Sequence, residues 1–146
     1  MVRARQNKFD AQIISHTYQN GKGVIKFDKD VTVIGENAFY REPLISIHIP
    51  KSVTTIGPDA FHGCEYLTTI NAPKHSILTI GREAFAGCEK LSDFTLPESV
   101  TTIGDNAFEG CSNLQEISLS DRGSWMGANV FDGCTNLKKV KLPKNL

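Results

Sequence analysis

Glycine recurs at a nearly fixed interval in this chain, and that interval constrains the fold more than any other feature. Gly35, Gly57, Gly81, Gly104 and Gly127 stand 22, 24, 23 and 23 residues apart. A β-prone run precedes the first four, at 31–34, 53–56, 77–80 and 100–103, and a degenerate Gly123-Ser124-Trp125-Met126 precedes the fifth. Four residues past each glycine comes Phe39, Phe61, Phe85, Phe108 or Phe131, and three residues after the last four of these come Cys64, Cys88, Cys111 and Cys134. A leucine column follows (Leu44, Leu67, Leu91, Leu114, Leu137), then a stretch ending near Pro50, Pro73, Pro97 and Pro143. Self-similarity at a period of about 20–50 residues marks a stack of coils. One such unit cannot bury its apolar face alone, but five stacked units can.

Each column predicts its own structure. In residues 91–96 the last three alternate apolar and polar, as do Ile47-His48-Ile49, Ile117-Ser118-Leu119 and Val140-Lys141-Leu142, the period of a half-buried strand. Val, Thr and Ile before each glycine predict a second short strand on the opposite side of the coil. The Gly-x-x-Ala-Phe-x-Gly-Cys stretch between them is too short for an ordinary helix and reads as a single helical or 3₁₀ turn. Phe, Cys, Leu and Ile then point inward as ladders. The fold class is an α/β repeat solenoid, rich in β structure.

Residues 1–30 do not carry the whole repeat. Two β-prone runs, 13–18 and 24–27, are joined by Gln19-Asn20-Gly21-Lys22-Gly23, and Asn-Gly favours a hairpin turn. Residues 1–30 therefore read as a hairpin cap with a half-coil, followed by repeats at 31–52, 53–76, 77–99, 100–122 and 123–146. The chain stops where a sixth Val-Thr-x-Ile-Gly would fall, so we expect either a truncated chain or a last coil that packs end to end on a partner. Charge is polarised along the stack. Residues 82–121 hold eight acids and two bases, whereas 122–146 hold five bases and one acid.

The unit Pro-x-x-Val-Thr-x-Ile-Gly-x-x-Ala-Phe-x-Gly-Cys-x-x-Leu-x-x-Ile resembles the BspA-like, or Treponema pallidum type, leucine-rich repeat. The resemblance runs from Val31 to Pro143, and the lead-in resembles segments found with such repeats in gut Bacteroidetes. Two units depart from it: Arg41-Glu42-Pro43 replaces Gly-Cys in the first, and Trp125-Met126 replaces Thr-Ile in the fifth. The resemblance implies a curved, right-handed leucine-rich-repeat coil used in cell-surface adhesion and in host or matrix contact. Related repeats also occur in parasite surface proteins and prophage products. It supplies no catalytic residues and no cofactor.

The four cysteines share the repeat period and form no Cys-x-x-Cys metal signature, so we read them as buried free thiols in the core. Disulfides between neighbouring coils, about 5 Å apart, are an alternative. A zinc site using His62 and Cys64 is a third. The strand face expected to be concave presents two outward columns. One is Ser46, Thr69, Asp93, Glu116 and Lys139; the other is His48, Asn71, Thr95, Ser118 and Lys141. Such varied polar columns suit recognition of a protein or glycan, although any half-buried strand shows a polar outer face.

His48 and Ser118 fall three coils apart, on the order of 15 Å, too far to make a catalytic pair. Asp93 and Glu116 sit on adjacent coils like a glycosidase pair, but an open sheet encloses no sugar and Lys139 can neutralise Glu116. They are also the place where a divalent cation could be held. Tyr40, Tyr66 and Trp125 are candidate exposed rings, and His62 and His75 fall in turns and read as solvated.

Composition removes several classes. Sixteen basic residues balance sixteen acidic ones, against a dedicated nucleic-acid binder. No apolar run approaches the roughly 18–20 residues that span a bilayer, and the basic start leads into no apolar stretch, so no signal peptide is legible. Surface location then rests on the resemblance, with a cytoplasmic one left open. The sequence predicts a non-enzymatic protein- or glycan-binding module, part of a bacterial surface adhesin. The alternative is a structural spacer or assembly module, including a prophage particle component.

Overall fold

The computed structural model describes residues 6–19, 22–92, 94–119 and 125–141. Its strands in chain order are β1 (Ile13–Gln19), β2 (Lys22–Phe27), β3 (Val33–Ile34), β4 (Ser46–His48), β5 (Thr55–Ile56), β6 (Thr69–Asn71), β7 (Thr79–Ile80), β8 (Thr102–Ile103), β9 (Glu116–Ser118), β10 (Trp125–Met126) and β11 (Lys139–Lys141). The chain is a β-solenoid of about four turns with almost no helix. We number its coils one to five by the glycines Gly35 to Gly127.

The Val-Thr-x-Ile side forms a five-stranded parallel sheet in the order β3-β5-β7-β8-β10. The register is uniform: Ile34, Ile56, Ile80, Ile103 and Met126 stack as direct neighbours. Ile34, Ile56, Ile80 and Ile103 are buried, as alternation along each strand requires. Ser52 Oγ and Ser99 Oγ, just before this side, donate to the Val31 and Ile77 carbonyls at 2.6 Å. The 24-residue interval places its extra residue within 73–76, and there Ser76 Oγ is buried with no hydrogen-bond partner.

The turn side, expected as a single helical or 3₁₀ turn, is a run of single turns closed by 3₁₀-type bonds, with no regular helix among its described residues. Ala38 N–H donates to the Gly35 carbonyl, Tyr40 N–H to Asn37 and Glu42 N–H to Phe39, each at 3.1–3.2 Å. The intervening amides of Asn37, Phe39 and Arg41 donate instead to the next coil, at Pro58, Ala60 and His62. Successive amides therefore serve the turn and the stack alternately. The left-handed backbone at Asn37, Asp59, Glu83, Asn106 and Asn129, and again at Arg41, Gly63, Gly87, Gly110 and Gly133, makes this possible. A helix would direct every amide along its own axis and leave the next coil without partners.

The ladders lie inside. Phe39, Phe61, Phe85, Phe108 and Phe131 stack with ring centroids 5.2–6.0 Å apart and interplanar angles of 1–16°. Phe9 and Phe27 continue the stack at the first coil and Phe94 joins it at the third, so all eight phenylalanines form one connected series. Leu67, Leu91 and Leu114 are fully buried, while Leu44 and Leu137 are half-buried on the outer coils.

The cysteines are free, and each Sγ donates to a carbonyl one coil back: Cys64 to Phe39, Cys88 to Phe61, Cys111 to Phe85 and Cys134 to Phe108, at 3.0–3.2 Å. Burial raises all four thiol pKa values above the usual 9.0, that of Cys64 to about 12. The unfolded chain therefore releases these protons first. Their contribution to stability is complete below about pH 9 and declines as pH rises through the folded values. We expect the urea midpoint to hold to about pH 9 and fall above it, less steeply in Cys88→Ala. An unchanged slope in that variant would contradict the buried-thiol assignment.

At the other end, β1 and β2 form the predicted antiparallel hairpin, with Gln19 opposite Lys22 and a bulge between Ile13 and Ser15. The Asn20-Gly21 turn lies outside the described residues. The segment before the hairpin completes the cap. Phe9 bridges antiparallel to Ile34, and Gly35 N–H donates to the Lys8 carbonyl at 2.6 Å. The Asp10 carboxylate accepts from the Thr32 and Val33 amides at 2.8 and 3.0 Å and from Thr32 Oγ1. Desolvation opposes its ionisation, but these hydrogen bonds outweigh it and hold the Asp10 pKa below the usual carboxylate value. Edge β3 is thereby covered.

The Leu-x-x-Ile side departs from expectation. Only β4 pairs with β6, and β9 with β11. The strand predicted at 91–96 on the third coil is absent among its described residues. Phe94 stands in the column of Ile47, Ile70, Ile117 and Val140, and its buried ring reaches Phe85 and Phe108 at 5.5 and 6.0 Å. Among the described residues this side therefore shows two short strand pairs, β4–β6 and β9–β11.

Candidate recognition face

This side carries a depression. In β4, β6 and β9 the middle residues Ile47, Ile70 and Ile117 turn toward the core, so their neighbours turn outward. The register sets Ser46 beside Thr69 and His48 beside Asn71, then Glu116 beside Lys139 and Ser118 beside Lys141. Between the pairs, the third coil leaves an open cavity of about 920 Å³. His48 and Lys51 line it from the first coil, Thr69, Asn71 and Pro73 from the second, Ser92 and Thr95 from the third, and Gln115 and Glu116 from the fourth. Ile70, Ala72 and Phe94 supply its apolar lining. Lys51 lies toward one end and Glu116 toward the other, so the groove carries opposite charge at its two ends.

Of the ten outward residues singled out in the sequence, five line this cavity: His48, Thr69, Asn71, Thr95 and Glu116. Ser46, Ser118, Lys139 and Lys141 lie on the flanking strand pairs, outside its lining. Asp93 lies outside the described residues, and with it the Asp93–Glu116 pair. Lys51, Ser92 and Gln115 line the groove but were not singled out. Ser92 and Gln115 each stand one residue before an outward column, and Lys51 stands three residues after His48. The groove receives His48 but not Ser118, which sits on the separate β9–β11 pair.

The turn side carries a second group. His62 Nδ1 lies 2.9 Å from Asp59 Oδ1 and 3.3 Å from Glu83 Oε2. Cys64 Sγ points inward to the Phe39 carbonyl, so the His62–Cys64 zinc reading does not survive. His62 is also not simply solvated; it packs on Tyr40 with ring centroids 5.1 Å apart. His75 is exposed. Tyr66 is exposed under Lys90 Nζ at 5.2 Å, and Trp125 is 60% exposed on β10.

These features match a known repeat. The profile of the BspA type leucine rich repeat region matches residues 25–146 in six copies. The chain belongs to the BspA-type leucine-rich repeat family. Solved structures of BspA-type and related repeats carry the same fold. A leucine rich cell surface protein from Faecalibacterium prausnitzii is similar at a TM-score of 0.73 and 28% identity, over 88% of this chain and 34% of that one. The pneumococcal vaccine antigen PcpA is similar at 0.69 and 28%, over 90% of this chain and 31% of that one. The T. pallidum leucine rich repeat protein shares the fold at 0.71 with 22% identity, over 96% and 82%. The chain thus spans a third of the length of the first two. Among curated proteins none matches it in sequence. BspA-type repeats are protein-interaction modules, generally without enzymatic activity. No helix among the described residues is long and apolar enough to cross a membrane.

Proposed function

We propose that this chain is a non-enzymatic recognition module of a bacterial surface adhesin, and that it takes a partner protein or glycan in the groove between β6 and β9. The observation that carries this reading is the cavity of about 920 Å³ at the third coil, where an apolar lining is ringed by exposed polar side chains of both charges. A flat solvated sheet offers no such concavity, and ligand sites favour a few oriented polar groups over apolar walls. Surface display is supported by the cell surface protein and the vaccine antigen among the similar structures.

The test is an array of extracellular-matrix proteins and glycans, probed with the purified chain and with the triple variant Asn71→Ala, Thr95→Ala, Glu116→Ala. All three side chains are exposed, so the fold should be retained. We expect at least one ligand, bound about tenfold or more weakly by the variant, the loss of roughly 1.4 kcal/mol that a few central contacts carry. Equal binding by both would remove the groove from consideration. Silence on the array, together with concentration-dependent sedimentation, would favour self-association through exposed Trp125, Met126 and Val140.

A further inference from the structure

We propose that Asp59, His62 and Glu83 form a binding site for a borderline divalent metal ion of the zinc class, bridging the second and third coils. The site shares no residue with the groove and does not depend on what the groove binds.

The geometry comes from the stack. Asp59 and Glu83 both stand two residues after their coil's glycine, and both have left-handed backbone, φ 55° and 53°. One coil therefore places their carboxylates above each other. Each backbone is anchored to the following coil: Asp59 N–H donates to the Arg82 carbonyl and Glu83 N–H to that of Asp105, both at 2.9 Å. His62, three residues past Asp59, closes the group from the same turn. The other coils carry Asn37, Asn106 and Asn129 in the carboxylate column, with Tyr40, Glu109 and Asp132 in the histidine column. Only the second coil joins an acid to a histidine, and only the third offers a longer acid that reaches back.

One ligand atom from each residue lies within 4.8 Å of the others. The two edges from Nδ1, 2.9 and 3.3 Å, approach the roughly 3.3 Å expected between neighbouring ligands of a tetrahedral ion with bonds of about 2.0 Å. One imidazole nitrogen with two carboxylate oxygens suits zinc, cobalt or nickel; magnesium and calcium prefer all-oxygen shells. Arg82 Nη2 holds Glu83 Oε1 at 2.5 Å and leaves Oε2 directed at His62, the outer-sphere support that metal carboxylates use. The side chains are 19–27% exposed, so a fourth position opens to solvent for water or a partner's ligand. The ordinary alternative is His62 bridging the two carboxylates by hydrogen bonds alone, with no metal.

The experiment is a calorimetric titration of the full untagged chain with zinc chloride in a non-chelating buffer. It is repeated with His62→Ala, Glu83→Gln and Cys134→Ala. Thermal unfolding of each protein without metal checks that it folds, and His62→Gln substitutes for any variant that does not. We expect one zinc per chain, at least tenfold weaker binding in His62→Ala and in Glu83→Gln, unchanged binding in Cys134→Ala, and no competition by excess magnesium. Cobalt in place of zinc should show no thiolate charge-transfer band. Failure to bind zinc, or binding that survives both ligand variants, would overturn the site. So would binding lost with Cys134, because the metal would then sit on the thiol ladder.

Discussion

Phe85→Ala should cost about 3–5 kcal/mol, the range for removing a fully buried aromatic ring whose surroundings cannot collapse. Phe85 is fully buried, stacks on Phe61 at 5.2 Å and on Phe108 at 5.4 Å, and meets Phe94 at 5.5 Å. Truncation would leave a void facing three rings, each held by its own coil. The neighbouring backbones are tied by amide-to-carbonyl bonds on the turn side, so they cannot close in. Domains of this size have only about 5–15 kcal/mol in total, so the loss should move the denaturation midpoint far down. A solenoid transmits stability through nearest-neighbour interfaces, and this substitution damages two of them. Equilibrium urea unfolding checks it. A change below about 1 kcal/mol would mean that the ring is not in the ladder.

Gly81→Ala should be comparably damaging, about 3 kcal/mol, at the upper end of what forced overpacking costs. A Cβ at Gly81 would lie 2.7 Å from both Gly57 C and Pro58 N. Those are backbone atoms, and the approach is held by the Gly81 N–H bond to the Ile56 carbonyl at 2.8 Å and by the pairing of β5 with β7. Gly87→Ala is the comparison. Gly87 has φ +73°, yet its added Cβ would meet nothing closer than 3.5 Å. Its cost should be the left-handed penalty alone, about 1–2 kcal/mol. Thermal or urea unfolding of the two variants should rank Gly81→Ala as clearly worse. The reverse order would show that backbone conformation, not the contact between coils, is why glycine occupies the first column.

That contrast also separates what could be read early from what could not. Both glycine columns are plain in the linear order, but their reasons differ and only neighbouring coils reveal them. The turn between them reads in the sequence only as a helical or 3₁₀ turn, because eight residues say nothing of where their amides go; the alternating backbone serves a coil some 22 residues away. The cap was half legible. Its hairpin carries alternation and an Asn-Gly pair, whereas residues 8–11 have no pattern and gain meaning only against the open edge of β3.

The candidate sites divide the same way. The outward columns followed from the period, because a constant interval aligns every strand with its neighbour. The groove did not, since its lining gathers side chains from four successive coils, Phe94 of the third among them. A signal existed: an aromatic in a column of Ile and Val. The cluster of Asp59, His62 and Glu83 had one too, in a 24-residue separation that equals one period and a histidine at the fourth place of the same turn.

What the linear order settled was therefore periodic: the coil length, the ladder positions, the cysteines in one column and the family. A repeat maps sequence distance onto spatial stacking, so its register needs no other information. What needed three dimensions was every departure from the period: the groove, the glycines pressed against the next backbone, the capped edge and the two carboxylates converging on His62. Each arises from the size or reach of one residue against atoms about a full coil away, a distance over which local preference carries no information.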